Sequence, residues 1–249
     1  MDMAKIRLCV EHPLGEGQTV PLERDQAHYL FGVMRLAEGA LVALFNGRDG
    51  EWQAEVTSAG KRGGELTCRR LSAEQGVPPD LWLLFAPIKK ARTDFIVEKA
   101  AEIGVARICP VQTEFTNAER IRRDRAQAHA VEAAEQCGST YVPEVDDLAR
   151  LDRLLADWPA DRQLMFCDEA FADASYGTPD GAPRRLSEAP KGPWAVLIGP
   201  EGGFSVAERK RLHDHPNAWP VQLGPRILRA DTAAVAALTL WHATLGDWT

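Results

Sequence analysis

Residues 198–205 read IGPEGGFS, and the apolar run WAVLI at 194–198 leads directly into them. The run predicts a buried strand. Ser205 stands three residues before Glu208, which is the spacing of a capping box that opens a helix. The stretch therefore predicts a strand, a glycine turn and a helix in succession. In an open α/β sheet, such turns lie at the carboxyl ends of the strands, where ligands bind.

A second loop of this kind follows the predicted strand WPVQLG at 219–224, where residues 224–231 read GPRILRAD. Asp231 or Thr232 is placed to cap the next helix. Apolar side chains beside exposed backbone amides can hold an adenine edge, and a nearby arginine can stabilise negative charge that develops on a substrate. Either arginine alone is more commonly a surface residue, but the two loops together favour a ligand site.

The composition of the glycine loop restricts the type of ligand. Neither loop contains GxxxxGK[ST] or GxGxxG, so the usual phosphate-binding patterns are absent. Glu201 would place a negative charge in a phosphate cradle, and Pro200 would remove a backbone donor. These residues disfavour a polyphosphate, and with it an ATPase, and favour a neutral or cationic nucleoside such as S-adenosylmethionine. For a lone GxxGG pattern, a tight turn without a ligand would be the simpler interpretation.

Strands and helices alternate around these loops. Buried-strand runs are predicted at 81–88, 106–111, 163–168, 194–198 and 219–224, and helices at 93–104, 123–138 and 232–245. This alternation predicts a parallel sheet with helices on its faces. Residues 170–193 are rich in proline, glycine, aspartate and alanine, and we expect a loop there.

The last predicted helix, TAAVAALTLWHATL at 232–245, is apolar on nearly every side. Such a helix needs burial all round. It could lie between the sheet and a second subunit, or it could be a central helix of the monomer. Of these two arrangements we favour the dimer.

The first 72 residues follow a different pattern. Strands are predicted at 40–46, 51–59 and 64–71, and a helix at 25–36 with one apolar face formed by Tyr29, Leu30, Val33 and Met34. A turn of glycine, arginine and aspartate at 47–50 is a hairpin signal. We therefore predict a small β-barrel with one helix at 1–72, a linker at 73–79 and an α/β domain at 80–249.

The charge distribution bears on nucleic-acid binding. The net charge of −7 argues against a nucleic-acid partner. However, residues 144–188 hold 11 acidic and 5 basic residues, a difference of −6, so the rest of the chain is nearly balanced. Basic clusters occur at Lys89, Lys90 and Arg92 and at Arg120, Arg122, Arg123 and Arg125. Such clusters are more commonly solvated helix faces, and an RNA-contact patch is the alternative.

Neither a metal site nor a membrane segment is expected. The five cysteines are far apart and form no CxxC pair, which is typical of buried free thiols. His213 and His215 are interpreted as surface residues. No apolar run approaches the roughly 20 residues of a membrane helix, and the first residues lack the core of a signal peptide, so we expect a cytoplasmic protein.

Several segments, in order along nearly the whole chain, resemble one family. IGPEGGFSVAE and LGPRILRADTAAVAAL resemble the SPOUT superfamily of knotted methyltransferases, and more narrowly the RsmE family of 16S ribosomal RNA uridine-N3 methyltransferases. There are three further matching segments: HYLFGVMRL at 28–36, Lys90 with DFIVEKAAEIGV at 94–105, and EAAEQCG at 132–138 together with the VPEV that follows it at 142–145. One such motif would be weak, whereas five in order are specific.

The resemblance implies a fold and an activity. The N-terminal region would be a PUA-like β-barrel that helps to hold RNA. The C-terminal region would be an α/β domain with a deep trefoil knot, in which GPRILRA threads through a preceding loop. The family binds S-adenosylmethionine at the knot, needs no metal and works as a homodimer. Its target is N3 of a uridine in 16S ribosomal RNA of the small ribosomal subunit, uracil-1498 in the family's usual RNA numbering.

The resemblance also implies site residues. Arg229 would orient the base and stabilise charge on its carbonyl oxygens, and Glu201 would order the glycine loop or, in a second role, help to remove the N3 proton. The cofactor pocket would be formed by Gly199, Pro200, Glu201, Gly202, Gly203, Leu223, Gly224, Ile227, Leu228 and Thr232. The candidate RNA contacts are Arg35, Lys89, Lys90 and Arg92.

Three positions depart from the family pattern. Ser139 stands where the family usually has an arginine after EQCG, and Phe115 stands where it often has the arginine of Thr-x-Arg-Ser. Asp231 replaces a glutamate and keeps its charge. The lost arginines affect the expected RNA affinity more than the cofactor site. Two alternatives stay open: a related SPOUT enzyme that acts on ribose 2′-OH or on transfer RNA, and a PUA-type RNA-binding module with a vestigial cofactor site.

Overall fold

The computed structural model describes residues 6–60, 62–118, 120–173, 175 and 181–248. Contacts within the chain divide it into two compact units. One consists of Met1–Val77 together with Ala134–Val142, and the other of Pro78–Ala133 together with Pro143–Thr249. Within the described ranges, no helix is long and apolar enough to cross a membrane.

The N-terminal unit is built on a mixed sheet. Its strands are β1 (Arg7–Cys9), β2 (Thr19–Pro21), β3 (Leu41–Phe45), β4 (Glu51–Gly60) and β5 (Gly63–Ala73), in the spatial order β1-β3-β4-β5-β2. β1 and β3 are parallel, and the other neighbours are antiparallel. Three register shifts between β4 and β5 bend this long ribbon. The three predicted strands of this region are confirmed, whereas the three-residue β1 and β2 were too short for periodicity to detect.

The predicted helix at 25–36 is only partly correct. The chain forms a short α-helix, α1 (Arg24–Ala27), and then a π-helical turn at His28–Val33. The wider turn, with Met34 N bonded to Tyr29 O, changes the direction of the later side chains. Leu30 is buried, but Tyr29, Val33 and Met34 are 36%, 59% and 42% exposed, so the expected single apolar face does not form.

Residues 134–142 belong to the N-terminal unit because Arg7 of β1 binds them. The Arg7 guanidinium donates to the backbone carbonyls of Ala134, Glu135 and Ser139 and also pairs with Glu51. The Glu135 carboxylate in turn accepts a hydrogen bond from Cys9 N at 2.8 Å. A segment far along the sequence is therefore an integral part of this unit.

The C-terminal unit contains a parallel sheet with helices. Its strands are β6 (Leu81–Phe85), β7 (Arg107–Gln112), β8 (Glu144–Val145), β9 (Ala149–Arg150), β10 (Gln163–Cys167), β11 (Trp194–Ile198) and β12 (Ala218–Val221). The spatial order is β12-β10-β11-β6-β7-β8, with β9 beside β7, and every pairing is parallel. The predicted parallel sheet is confirmed.

The helices of the described chain beyond residue 80 are α2 (Lys90–Ile103), α3 (Arg123–Cys137), α4 (Leu151–Ala156), α5 (Val206–Asp214) and α6 (Ala230–Thr244). Gly104 ends α2 with φ 101°, a left-handed conformation that suits glycine. Ser205 and Glu208 form the predicted capping box of α5. The predicted capping of α6 by Asp231 or Thr232 is wrong: Arg229 is the N-cap residue, and Asp231 lies in the first turn, where a carboxylate suits the helix dipole.

The loop predicted at 170–193 is only partly described, because residues 174 and 176–180 lie outside the described ranges. The described part contains short 3-10 turns at Glu169–Phe171 and Leu186–Glu188. The connection from β11 to β12 passes beyond β10, since β10 lies between these two strands. The loops that follow β10, β11 and β12 consequently meet at one edge of the sheet.

A buried arginine closes the opposite end of this sheet. Arg162, with 7% of its side chain exposed, pairs with Asp80 through two 2.9 Å hydrogen bonds and donates to the Trp194 carbonyl. Its guanidinium lies 3.7 Å from the ring centroid of Trp82. Arg162 thus donates a hydrogen bond to the buried Trp194 carbonyl, which an apolar side chain could not do.

We expect Arg162→Met to lower the free energy of unfolding by about 2 kcal/mol, because the Trp194 carbonyl loses its donor and Trp82 loses its cation. Urea unfolding measures the change. Arg150→Met is the matched control: Arg150 is 61% exposed and pairs with Asp152 at the surface, so its loss should cost less than about 0.5 kcal/mol. Equal effects of the two substitutions would contradict the structural role of Arg162.

Candidate active site

A cavity of about 320 Å³ lies at the carboxyl ends of β10, β11 and β12. Its walls come from the three loops that follow these strands: Asp168, Glu169 and Ala172 after β10, residues 199–201 and 203 after β11, and residues 222–224 and 226–230 after β12. Cys167, Ile198, Val221 and Ala233 complete the lining. This is the edge at which parallel α/β sheets bind ligands.

Most of the predicted pocket residues line this cavity. Those that do are Gly199, Pro200, Glu201, Gly203, Leu223, Gly224, Ile227, Leu228 and Arg229. Gly202 and Thr232 do not. Gly202 instead lies beneath Phe115, since a Cβ at Gly202 would be 3.4 Å from the Phe115 Cβ. Thr232 is exposed in the first turn of α6.

The glycines of the first loop are needed for its shape. A Cβ at Gly199 would lie 3.0 Å from two ring atoms of Phe204, which is itself buried. Gly203 has φ 72° and donates its N–H to the Pro200 carbonyl, closing a tight turn. The Phe204 ring meets Phe166 edge to face, with centroids 6.3 Å apart. The loop is therefore fixed against the core and leaves its other side open to the cavity.

The second loop presents cations without partners. Among the residues that the structure describes, no carboxylate pairs with the guanidinium of Arg226 or Arg229, and both side chains are exposed at the cavity. Arg92 is different, because it forms a 2.8 Å ion pair with Asp231 in the first turn of α6. Ile227 is 42% exposed and supplies apolar surface. Arg229 is thus available to a substrate, whereas Arg92 is largely neutralised.

Sequence reasoning missed a buried ionic network behind the glycine loop. Arg209 of α5 donates to Asp168 at 3.0 Å and to Glu169 at 3.2 Å, and His213 contacts Asp168 at 2.9 Å. The interpretation of His213 as a surface residue is wrong, because its side chain is only 5% exposed. The available signal was the acidic pair directly after the apolar run QLMFC, at the carboxyl end of a predicted strand.

Burial affects the titration of two groups that line the cavity. Burial raises the pKa of the Glu169 carboxyl, and the nearby Asp168 adds to the shift, while Arg209 opposes it. Burial likewise raises the pKa of the Cys167 thiol. The raised pKa favours the protonated, less nucleophilic form of the Cys167 thiol.

The basic residues proposed for RNA lie in different settings. Arg35 is exposed on the N-terminal unit and has φ 56°, a left-handed conformation that is unusual for arginine. Lys89 and Lys90 are exposed at the start of α2. In the second cluster, Arg122, Arg123 and Arg125 pair with Asp124, Glu144 and Asp94. Three of the four arginines in that cluster therefore form surface salt bridges.

Two of the three positions that depart from the family pattern, Ser139 and Phe115, have local contacts in the structure. Ser139 Oγ accepts a hydrogen bond from Tyr141 N at 3.1 Å and so stabilises a turn. Phe115 is 45% exposed above Gly202. The loop that carries it is bound to α5, because Glu114 N donates to Glu208 at 2.8 Å.

A parallel sheet whose carboxyl edge carries two glycine loops and a cavity lined by apolar groups and arginines is typical of nucleoside-binding α/β proteins. Comparison with known proteins narrows this class. The RNA methyltransferase domain matches residues 76–242, and the RNA methyltransferase PUA domain matches residues 22–67. The chain belongs to the RNA methyltransferase family and, within it, to the RsmE group, as its resemblance predicted. The expected combination of a PUA domain with an α/β methyltransferase domain is confirmed.

Relatives match along nearly the whole chain. Ribosomal RNA small subunit methyltransferase E of Rickettsia conorii is 26% identical over 233 residues, covering 93% of each chain. The protein of that name from Bacillus subtilis is 28% identical over 235 residues, covering 90% of each.

Solved structures are also similar. Ribosomal RNA small subunit methyltransferase E from Neisseria gonorrhoeae, bound to S-adenosylmethionine, has a TM-score of 0.86 and 26% identity, covering 98% of this chain and 99% of its own. A methyltransferase from Legionella pneumophila, also with S-adenosylmethionine, has a TM-score of 0.87 and 27% identity, with coverage of 98% and 100%.

Proposed function

We propose that the protein transfers a methyl group from S-adenosylmethionine to N3 of a uridine in 16S ribosomal RNA of the small ribosomal subunit. The observation that supports this most directly is the cavity between the two glycine loops. Its volume of about 320 Å³ is in the range of small-molecule sites, and its walls offer carboxylates and apolar groups instead of a phosphate cradle. The position of the target, uracil-1498, stays a prediction from the resemblance.

The residues of the cavity fit the cofactor. Ile227 and Leu228 give apolar surface for adenine, and Glu201 gives a negative charge that suits a sulfonium or ammonium cation. Gly199 and Gly203 leave room where side chains would intrude. Two similar proteins, each covered almost completely, hold S-adenosylmethionine.

The reaction requires removal of the N3 proton of uracil and a group that stabilises the resulting negative charge. S-adenosylmethionine supplies the electrophilic methyl group. Arg229, which has no carboxylate partner among the described residues, would donate to the uracil carbonyl oxygens, where that charge develops.

Glu201 lines the same cavity, and no described residue hydrogen-bonds to its side chain. An ordering role would need such bonds, and the loop is instead held by Glu169, which accepts from Phe204 N at 3.1 Å. We therefore propose that Glu201 is the proton acceptor, with its carboxylate taking the N3 proton.

The wider assembly follows the same proposal. Residues 1–72 would hold RNA as a PUA-like barrel, 73–79 would be the linker and 80–249 the methyltransferase domain, with 224–230 threaded as a trefoil knot. A homodimer would cover the outer face of α6, where Leu240 is 39% exposed while Trp241 on the inner face is buried. Arg35, Lys89, Lys90 and Arg92 are the proposed RNA contacts, of which Arg92 is already paired.

A methylation assay tests the function. Small subunits that lack the modification, and naked 16S RNA, are incubated with the protein and labelled S-adenosylmethionine, and the nucleosides are identified by mass spectrometry. We expect label in 3-methyluridine. Label on a ribose oxygen or in transfer RNA would support a different RNA methyltransferase. Failure to bind the cofactor in calorimetry would support an RNA-binding module.

A further inference from the structure

We propose that Glu169 is a ribose-recognition residue: its carboxylate accepts hydrogen bonds from the 2′- and 3′-hydroxyls of the nucleoside bound in the cavity. This inference rests on the proposed function, because it assumes an adenosine-containing cofactor. It assigns a role to a residue that neither loop motif contains.

The sheet order places Glu169 at the middle of the cavity. β10 lies between β12 and β11. Glu169 is the second residue after the end of β10. The loop after β12 carries the apolar residues suited to adenine, and the loop after β11 carries Glu201, suited to the cationic end. In S-adenosylmethionine the ribose joins these two ends, so the central loop is the one that faces it.

The Glu169 carboxylate is held in one orientation. Its Oε1 accepts from Phe204 N at 3.1 Å and from Arg209 Nη2 at 3.2 Å. Arg209 is itself fixed by Asp168, whose side chain is fully buried and accepts from Arg209 Nε at 3.0 Å. His213 contacts the other Asp168 oxygen at 2.9 Å. The arginine is therefore a positioning residue, and little rotamer entropy remains for Glu169 to lose on binding.

The second carboxylate oxygen is left for a ligand. In the part of the chain that the structure describes, no other residue donates a hydrogen bond to Oε2 of Glu169, although the side chain is only 17% exposed and lines the cavity. The backbone N–H of Glu169 itself also bonds to the carboxylate. An ionised carboxylate is an acceptor only, and it forms strong hydrogen bonds with hydroxyl donors. A vicinal diol offers two such donors within reach of one carboxylate, as in dinucleotide sites at the ends of parallel strands.

Calorimetry with nucleoside fragments tests this assignment. 5′-Methylthioadenosine has the ribose but lacks the amino-acid end, and its 2′-deoxy and 3′-deoxy forms each lack one hydroxyl. Glu169→Gln keeps an oxygen for Phe204 N but removes the charge. We expect the variant to bind 5′-methylthioadenosine and S-adenosylhomocysteine about tenfold more weakly, and to bind the deoxy forms with nearly the affinity of the unmodified protein for them.

The alternatives give different results. An equal loss for ribose and deoxyribose ligands would make Glu169 structural only, and a loss confined to S-adenosylhomocysteine would assign it to the ammonium group; either overturns the proposal, as does no loss at all. If the unmodified protein binds no nucleoside, the proposed function fails instead. Glu188→Gln, an exposed glutamate of the 3-10 turn at Leu186–Glu188, is the matched control and should bind normally.

Arg209→Lys gives a second readout. Lysine keeps the positive charge beside Asp168 but has no planar fork to hold both carboxylates. We expect Arg209→Lys to reduce the ratio of the affinities for 5′-methylthioadenosine and its deoxy forms. We also expect Arg209→Lys to lower thermal stability less than Arg209→Ala does. A variant that keeps the full preference would contradict the positioning role of Arg209.

Discussion

Arg229→Ala is expected to lower kcat by about 100-fold or more while leaving the Kd of S-adenosylmethionine nearly unchanged. The reason is that the guanidinium at the N-cap of α6 is exposed at the cavity and has no carboxylate partner in the described chain. Its donors are free to stabilise the uracil anion, a charge that is absent from the ground state of the substrate. Single-turnover methylation of small subunits, together with calorimetric titration of the cofactor, separates the two quantities.

Two further variants make the test of Arg229 specific. Arg229→Lys keeps the charge but loses the planar donor fork, so an intermediate rate is expected. Lys210→Ala removes a surface cation of α5 that is 73% exposed and paired with Asp214, and it should leave the rate unchanged. If Arg229→Ala raised the Kd of the cofactor as much as it lowered kcat, the residue would serve binding and not catalysis.

Gly199→Val is expected to weaken cofactor binding by about 100-fold, and Gly199→Ala by about tenfold. A Cβ at this position would lie 3.0 Å from Cε2 and Cζ of Phe204, so the ring must move. Phe204 is 3% exposed and packed edge to face on Phe166, which leaves the ring little space on its far side. The glycine loop that forms one wall of the cavity must therefore move. Calorimetric titration with S-adenosylhomocysteine measures the resulting loss of affinity.

The control for the glycine variants is Gly15→Val. No heavy atom lies within 4 Å of a Cβ built at Gly15, and its backbone does not need a positive φ. This variant should bind the cofactor normally and unfold at the normal temperature. Normal cofactor binding by Gly199→Val would show that the loop adapts and that the close approach to Phe204 is not required.

The sequence was most informative where structure is local. The strand, glycine turn and capping box at 194–208 follow from neighbouring residues, and the structure has them at the predicted positions. The parallel sheet likewise follows from regular alternation. Two-residue strands such as β8 and β9 carry no period and could not be detected. The π-helical turn at His28–Val33 was missed because a wider turn and an α-helix share almost the same apolar pattern.

The ionic network illustrates what sequence could not supply. Asp168 and Arg209 are separated by about 40 positions, and the residues that flank each of them contain no pattern that predicts their contact. Only the sheet order, which places β10 beside β11, brings α5 against the end of β10. The same sheet order accounts for the hydrogen bond from Phe204 N in the glycine loop to the Glu169 carboxylate, because this bond joins the loops of two adjacent strands.

The composition of the N-terminal unit has a consequence for biosynthesis. Because Arg7 of β1 donates to the carbonyls of Ala134, Glu135 and Ser139, this unit lacks a part of itself until residue 142 has been synthesised. Domains generally fold in the order in which they are translated, but the contacts of Arg7 with 134–142 can form only after Pro78–Ala133 of the second unit has been translated. A gene fragment that stopped at residue 77 would encode Arg7 without the carbonyls to which it donates.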